Sequence, residues 1–406
     1  MTRTDKAVIG GGAAGLMAAY TAAAEGKSVT LYEKNRFPGK KLDITGKGRC
    51  NLTNNCDVKT FLENVVTNPQ FLYSALYAFP PGATMDFFES GGLKLKTERG
   101  RRVFPESDRA HDVTEFLTRA CSRAGVKFVC ADVSGIRITD GAVTGVFAGG
   151  KEYECSCAII ATGGLSYPRT GSDGDGYEWA RKAGHTVISP RPALVPLVSP
   201  DPLCRECMGL SLENVLVTFS SPDGRVLYRE QGELMFTHFG LSGPVALSAS
   251  SVIRGAFPCR VSIDLKPGLD PETLDKRLLR DFSANSNRDF INSLDALLPR
   301  KLIEPIVRLS GIDARKKVNA VTREERRELC ALLKSLPLTV TAARPISEAI
   351  VTSGGVCVRE VDPRTMESRL VSGLFFAGEV LDVDALTGGY NLQIAFSTGY
   401  VAGKNC

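Results

Sequence analysis

Histidine is scarce in this 406-residue chain, with three copies, and that scarcity governs how its twelve cysteines read. A metal or redox site on the one Cys-x-x-Cys, Cys204-Arg205-Glu206-Cys207, needs a partner pair or a helix N-terminus in the right place. The sequence offers neither, so these thiols read as incidental and no metal is expected. Reduced thiols and a cytoplasmic location go together in this reading. No apolar run is long enough to span a bilayer. The polar start, residues 1–5, runs straight into an apolar strand with no signal-peptide core, so no membrane partner is expected. A net charge of +5 neither demands nor rules out nucleic acid. Internal repeats and low-complexity linkers are absent.

What the chain has in quantity is glycine, 40 residues gathered in clusters, the mark of tight turns and close backbone–ligand approach. Its length suits two or three cores rather than one. The segment Lys6-Ala7-Val8-Ile9 reads as a buried strand leading into Gly10-Gly11-Gly12-Ala13-Ala14-Gly15. A helical run over 16–25 follows, then a second strand, 28–32, ending at Glu33. Strand, glycine turn, helix and acid-ended strand together form a dinucleotide fingerprint in its required context. Gly10 permits the turn, Gly12 lets the backbone reach a pyrophosphate, and Gly15 allows close helix–strand packing. The helix N-terminus at Ala13 and Ala14 offers N–H groups to phosphates. Glu33 suits ribose hydroxyls and argues against a 2′-phosphate, favouring FAD or NAD over NADP.

Two later segments favour FAD. Residues 126–157 read as four short strands with glycine turns, including Val133, and feed a buried strand ending in Ala161-Thr162-Gly163-Gly164. Near the C-terminus, Gly373-Leu374-Phe375-Phe376-Ala377-Gly378-Glu379 is another buried strand ending at Gly-acid, followed by Asp382. Gly388-Gly389-Tyr390-Asn391-Leu392-Gln393 then opens a helix whose backbone donors suit the ribityl–pyrophosphate and the flavin N1/C2 edge.

Several long motifs in the right order carry a family resemblance over essentially the whole chain. They are Lys47-Gly48-Arg49-Cys50-Asn51-Leu52-Thr53-Asn54, Thr352-Ser353-Gly354-Gly355-Val356, Thr365-Met366-Glu367-Ser368 and the two C-terminal motifs above. The middle adds a motif over 232–244, from Gly232-Glu233-Leu234 to Ser242-Gly243-Pro244, that contains His238. On these the chain resembles the BaiN-like family of FAD-dependent oxidoreductases, also called YhiN-like or aminoacetone-oxidase-family flavoproteins. The resemblance implies an α/β fold with a Rossmann-like FAD domain of the two-dinucleotide type, and an oxidoreductase activity whose substrate differs among members. It implies reduction of an unsaturated, steroid-like ketone in some relatives and of a uridine in ribosomal RNA in another.

Because both ends must meet around one FAD, the middle is an insertion. Proline density near 189–192 and 336–338 sets the expected divisions: 1–190 with 336–406 for the FAD domain, 191–270 for a β-rich module, and 271–335 for a helical module. A second nicotinamide-type unit is missing, so NADH or NADPH is expected only as a transient reductant.

Lys34, Lys40 and Lys41 sit in a basic stretch that can neutralise a diphosphate, and the loop 47–54 is the candidate to pack along the isoalloxazine. Cys50 with Cys56 invites a redox pair, but five residues separate them, one more than flavin-linked disulfide reductases use. The proton-donor candidates are Tyr167, His238, Arg49 and Tyr390, with His111 and His185 read as structural. The leading expectation is NAD(P)H-driven reduction of a carbonyl-conjugated C=C bond in a small molecule. The alternatives are uridine reduction in ribosomal RNA, motivated by the basic stripe Arg300, Lys301, Arg308, Arg315, Lys316 and Lys317, and oxidation of small amines or aminoketones. A non-catalytic flavin sensor is a third class.

Overall fold

The computed structural model describes residues 2–3, as backbone, and 5–406. Five short strands form a parallel sheet: β1 (Lys6–Ile9), β2 (Val29–Glu33), β3 (Lys127–Cys130), β4 (Cys157–Ile160) and β5 (Leu374–Phe376). Their order is β5-β4-β1-β2-β3, with Ile160 beside Ile9 and Phe376 beside Ile160. Strands β1, β2, β4 and β5 are largely apolar because both faces are covered, with Ala7, Val8, Leu31, Ile159 and Phe376 buried, whereas the edge strand β3 has no buried residue. The chain moves from β1 outward to β2 and β3, then returns to the other side of β1 for β4 and β5. That reversal puts a topological switch point beside β1, where open α/β sheets hold their ligands at the carboxyl ends.

The two chain termini meet through helices. α1 (Ala13–Ala24) is built mostly of small residues, and nine of its twelve are buried. α2 (Tyr390–Asn405) packs on it. A Cβ added at Gly399 would lie 2.4 Å from the Ala14 carbonyl oxygen, and one at Gly403 would lie 2.3 Å from that of Ala18. Only glycine lets the two backbones come this close. A disulfide joins Cys157, at the start of β4, to Cys406. The expectation of uniformly reduced thiols therefore needs correction at this pair, whose partners lie 249 residues apart and become neighbours only in the fold.

By contacts the chain divides into Met1–Ala193 with Pro345–Cys406, and Leu194–Arg344. Two sequence expectations are corrected here. The strand at 127–130, expected in the meander, pairs in parallel with β2 instead. The antiparallel part is Val133–Thr139, Ala142–Ala148 and Lys151–Glu154.

The second correction concerns residues 336–344, expected in the FAD domain. Leu336–Val340 pairs antiparallel with Cys259–Asp264, placing Leu338 opposite Val261 in a seven-stranded sheet of the inserted unit. The helices Pro271–Ala284, Arg300–Ser310 and Arg323–Lys334 thus interrupt neighbouring strands. Their buried Leu278, Ile306 and Leu333 share one core with Val217, Phe219 and Ile263 of the sheet. Proline at 337 misleads as a boundary signal, because it lies on an edge strand where its missing N–H costs no ladder bond. Among the described residues no helix is long and apolar enough to cross a membrane.

Candidate active site

The carboxyl ends of β1, β4 and β5 bring three separated motifs together: Gly10 to Gly15, Ala161-Thr162-Gly163, and Ala377-Gly378-Glu379. Gly10 has φ +103° and a Cβ there would lie 2.5 Å from the Ala161 carbonyl oxygen. Gly15 is tighter still, 1.8 Å from the Gly10 carbonyl oxygen, so α1 presses directly on the loop. Gly12 has open space before it, with no atom within 4 Å of an added Cβ. No side chain caps α1, which leaves the first-turn N–H groups of Ala13 and Ala14 without a side-chain acceptor beside that space. An anionic diphosphate fits this combination of room, donors and dipole.

Glu33, at the end of β2, accepts the Gly11 N–H at 2.7 Å on one oxygen and the Asn35 backbone and amide N–H groups at 2.7 Å on the other. It thereby braces the fingerprint loop. A carboxylate has about four lone-pair sites, so acceptor capacity remains for a ribose hydroxyl.

Behind the loop lies a polar cluster whose full membership is hidden in the sequence. Lys41 donates to the Ser166 hydroxyl and to Glu379 Oε2, each at 2.6 Å. Glu379 Oε1 accepts the Ser166 hydroxyl at 2.7 Å and the Thr352 N–H at 2.9 Å. Thr352 Oγ1 in turn accepts the N–H groups of Leu165 and Ser166. Burial opposes ionisation of Glu379, but Lys41, Ser166 and Thr352 together overcome it and hold the carboxyl below its ordinary range. Ser166 and Thr352 are fully buried. Thr352 opens one of the family motifs, which was the available signal; its partners could not be read from it.

The other expected positions divide. Tyr390 begins α2 with its ring edge on Phe61, and burial pushes its hydroxyl up to about 12, which suits packing better than proton delivery. Asn391 binds the backbone of Ala385 in both directions, at 3.0 and 2.8 Å, closing the turn before α2, and Leu392 is half-buried on that helix. Asp382 receives the Asn68 amide at 3.0 Å. Gly388 and Gly389 precede α2, which has no side-chain cap.

The loop 45–50 is wound through the left-handed region at Gly46, Lys47, Gly48 and Cys50. Backbone held there by its surroundings is characteristic of sites. Asn51, with its amide oriented to suit its neighbours, donates to the Thr53 and Val103 carbonyls and accepts the Gly389 N–H at 3.0 Å. Leu52 is buried beside it.

Arg49 is committed elsewhere. Its guanidinium binds Asp108 at 2.6 Å and Glu98 at 2.5 Å and lies 4.2 Å from the Phe104 ring centre. Its hydrogen bonds to the Glu98 and Asp108 carboxylates hold it charged, which removes it from the proton-donor candidates. Lys34 is drawn to Asp173 and Asp175, at 2.5 and 3.0 Å, and Lys40 is exposed with its nearest partner, Asn35, at 3.4 Å. Val133 is buried at the start of its strand.

Cys50 is fully buried, its thiol pushed up by burial to about 12, and burial raises Cys56 to about 11. Neither is a thiolate near neutral pH, so they do not form a reactive pair. Tyr167 is half-buried in the loop after β4 and adopts a left-handed conformation, φ +49°. His238 is exposed at a turn of the inserted unit, its ring edge on Phe239.

Comparison with known proteins bears on this arrangement directly. The model of the HI0933-like protein Rossmann domain family matches residues 4–405. A 3-dehydro-bile acid delta(4,6)-reductase from Clostridium scindens is 33% identical, with 98% of this chain and 97% of the relative covered. A ribosomal RNA dihydrouridine synthase from Escherichia coli is also 33% identical, with 100% of this chain and 98% of the relative covered. Among solved structures, a flavocytochrome c3 fumarate reductase superposes with a TM-score of 0.56 at 17% identity, covering 100% of this chain and 78% of that one. The likeness there is one of fold. With its fingerprint, its convergent strand ends and relatives matched along their full length, this chain belongs to the HI0933-like Rossmann-domain family and is an FAD-dependent oxidoreductase.

Proposed function

We propose that the protein reduces a C=C bond conjugated to a carbonyl in a small molecule, with NADH or NADPH as the transient reductant. The observation that carries this reading is that two full-length relatives at 33% identity, named for different substrates, share one reaction. A 3-oxo steroid with double bonds at positions 4 and 6 and a uracil ring both present an alkene conjugated to a carbonyl. When bound, FAD supplies the hydride equivalent for such a reduction.

The chain's own residues supply the rest. The first turn of α1 and the space at Gly12 hold the diphosphate, Glu33 the ribose, and the uncapped start of α2, just after the Gly388–Gly389 turn, presents backbone N–H groups to the flavin edge. Lys41 and Glu379 fix the strand ends on which these groups stand. Tyr167 delivers the proton to the α carbon. The small-molecule form is favoured by the state of the basic stripe in the insert. Lys301 donates to the Met208 carbonyl, Arg308 pairs with Glu206, Lys316 with Glu325 and Lys317 with Asp289, so four of its six cations are engaged within the protein. Ribosomal RNA remains the second reading because of the relative at 33% identity.

Anaerobic mixing of the yellow holoprotein with NADH or NADPH tests the proposal. Bleaching followed by recovery of colour with an enone supports it. Recovery only with ribosomal RNA transfers the reaction to the second reading. Reduction by an amine or aminoketone, but by neither nucleotide, overturns it.

A further inference from the structure

A short hairpin carries an unneutralised pair of arginines to the opening of α2. Its strands are Leu95–Glu98 and Arg102–Pro105, and its turn is Arg99-Gly100-Arg101. Two adjacent asparagines fix the turn in place. Asn54 Nδ2 donates to the Gly100 carbonyl and to the Gly388 carbonyl, each at 3.0 Å, and the Asn55 N–H donates to the Arg101 carbonyl at 2.7 Å. One side chain thus ties the arginine turn to the glycine turn just before the helix start assigned above to the flavin edge.

The charges around this turn are unequally satisfied. Glu98 and Asp108, the nearby acids, are taken by Arg49 and Lys96. Arg99 and Arg101 are exposed, and among the described residues neither has an ion-pair partner. The field of Arg101 reaches Cys56 and Tyr390, the first residue of α2, and favours the ionised form of each. Arg101 also has φ +59°, directly after Gly100 at φ +76°. Glycine would occupy that conformation without strain, whereas a β-carbon-bearing residue is disfavoured there. A long cationic side chain is held where local backbone energetics favour its removal.

We propose that Arg101, with Arg99, recognises an oxyanion, a carboxylate or phosphate, on the molecule that reacts at the flavin. A guanidinium is the side chain best matched to such groups, through paired, charge-assisted hydrogen bonds. This rests on the reductase reading for what the molecule is, though not for whether the anion binds. Two sources share the chemistry: a carboxylate on the substrate and the 2′-phosphate that distinguishes NADPH from NADH.

R101G is the decisive variant, because it deletes the guanidinium while relieving the backbone, so its melting temperature should equal or exceed that of the wild type. Inorganic phosphate is titrated into the oxidised holoprotein at low ionic strength and followed by the flavin difference spectrum. The wild type should show a saturable change, weakened about tenfold in R101G, the equivalent of one charge-assisted hydrogen bond. R101K, which keeps the charge but not the paired geometry, should fall between the two. Superimposable curves for wild type and R101G overturn the proposal, whether or not any substrate turns over.

Two kinetic comparisons then assign the source. A weaker interaction of R101G with NADPH but not NADH assigns the nucleotide phosphate. A raised KM for an enone acid but not for its methyl ester assigns the substrate carboxylate. No change in either comparison overturns the proposal. Failure of both nucleotides to reduce the flavin instead removes the reductase reading, and the phosphate titration still judges Arg101.

Discussion

The helix crossing of α1 and α2 makes a sharp mechanical prediction. In G399A the new Cβ must move about 1 Å from its 2.4 Å approach to the Ala14 carbonyl before contact becomes ordinary at 3.4 Å. Backbone is what blocks it, so no side-chain rotation helps and α2 must shift as a body. Helix propensity favours alanine by about 1 kcal/mol, while overpacking of this kind costs roughly 1–3 kcal/mol or more. A carbonyl clash belongs at the upper end, which gives a net loss of about 2 kcal/mol. G82A is the internal control. Gly82 lies in the helix Pro81–Ser90 and an added Cβ meets no atom within 4 Å, so the same substitution should stabilise by roughly 0.4–1 kcal/mol.

Trp179, the single tryptophan, is buried in the same contact unit and reports its unfolding by fluorescence in urea. G399A should lower the apoprotein midpoint and G82A raise it. G399A should also weaken FAD binding, because α2 carries the Gly388–Gly389 turn at its start. A G399A midpoint equal to wild type, or a shift in the same direction as G82A, refutes the packing account.

Three further outcomes are expected. K41M should lose about 3 kcal/mol at pH 7, the usual cost of stranding one partner of a largely buried pair; E379Q should lose less, since an amide oxygen still accepts from Ser166 and Thr352. Because the folded Glu379 carboxyl lies below its ordinary 4.5, its stabilisation is full above that pH and fades as pH falls through the folded value. Wild type and E379Q should therefore converge in acid, and a gap that persists under strong acid contradicts the assignment. A thiol-titrating reagent at pH 8 should label exposed Cys130 rapidly and Cys50 only on unfolding, and C50S should keep flavin reduction by nucleotide. Y167F should slow substrate-dependent reoxidation by about 100-fold or more while leaving reduction by nucleotide intact, and equal loss of both half-reactions removes Tyr167 as the proton donor.

Local signals made much of this legible. The fingerprint residues Gly10, Gly12 and Gly15 and the acid-ended strand at Glu33 follow from short-range rules of turn and strand formation, as does Gly388-Gly389 opening α2. Arg49 reads in sequence as a cation available to a ligand, and only the fold supplies Glu98 and Asp108 to engage it. Pro337 marks a loop by composition, and only sheet pairing makes it part of an edge strand. The same holds for the basic stripe, whose partners Glu206 and Asp289 lie outside its own segment.

By itself, then, the sequence determined the existence of a dinucleotide-binding unit shared by the two chain ends, since glycine spacing and strand periodicity act over a few residues. Tertiary structure alone decided that Lys41, Ser166, Thr352 and Glu379 form one cluster, that Cys157 meets Cys406, and that Arg101 stands beside the start of α2. Each of these joins residues far apart in the chain, and a contact of that kind is set by how whole elements pack, which no local pattern encodes.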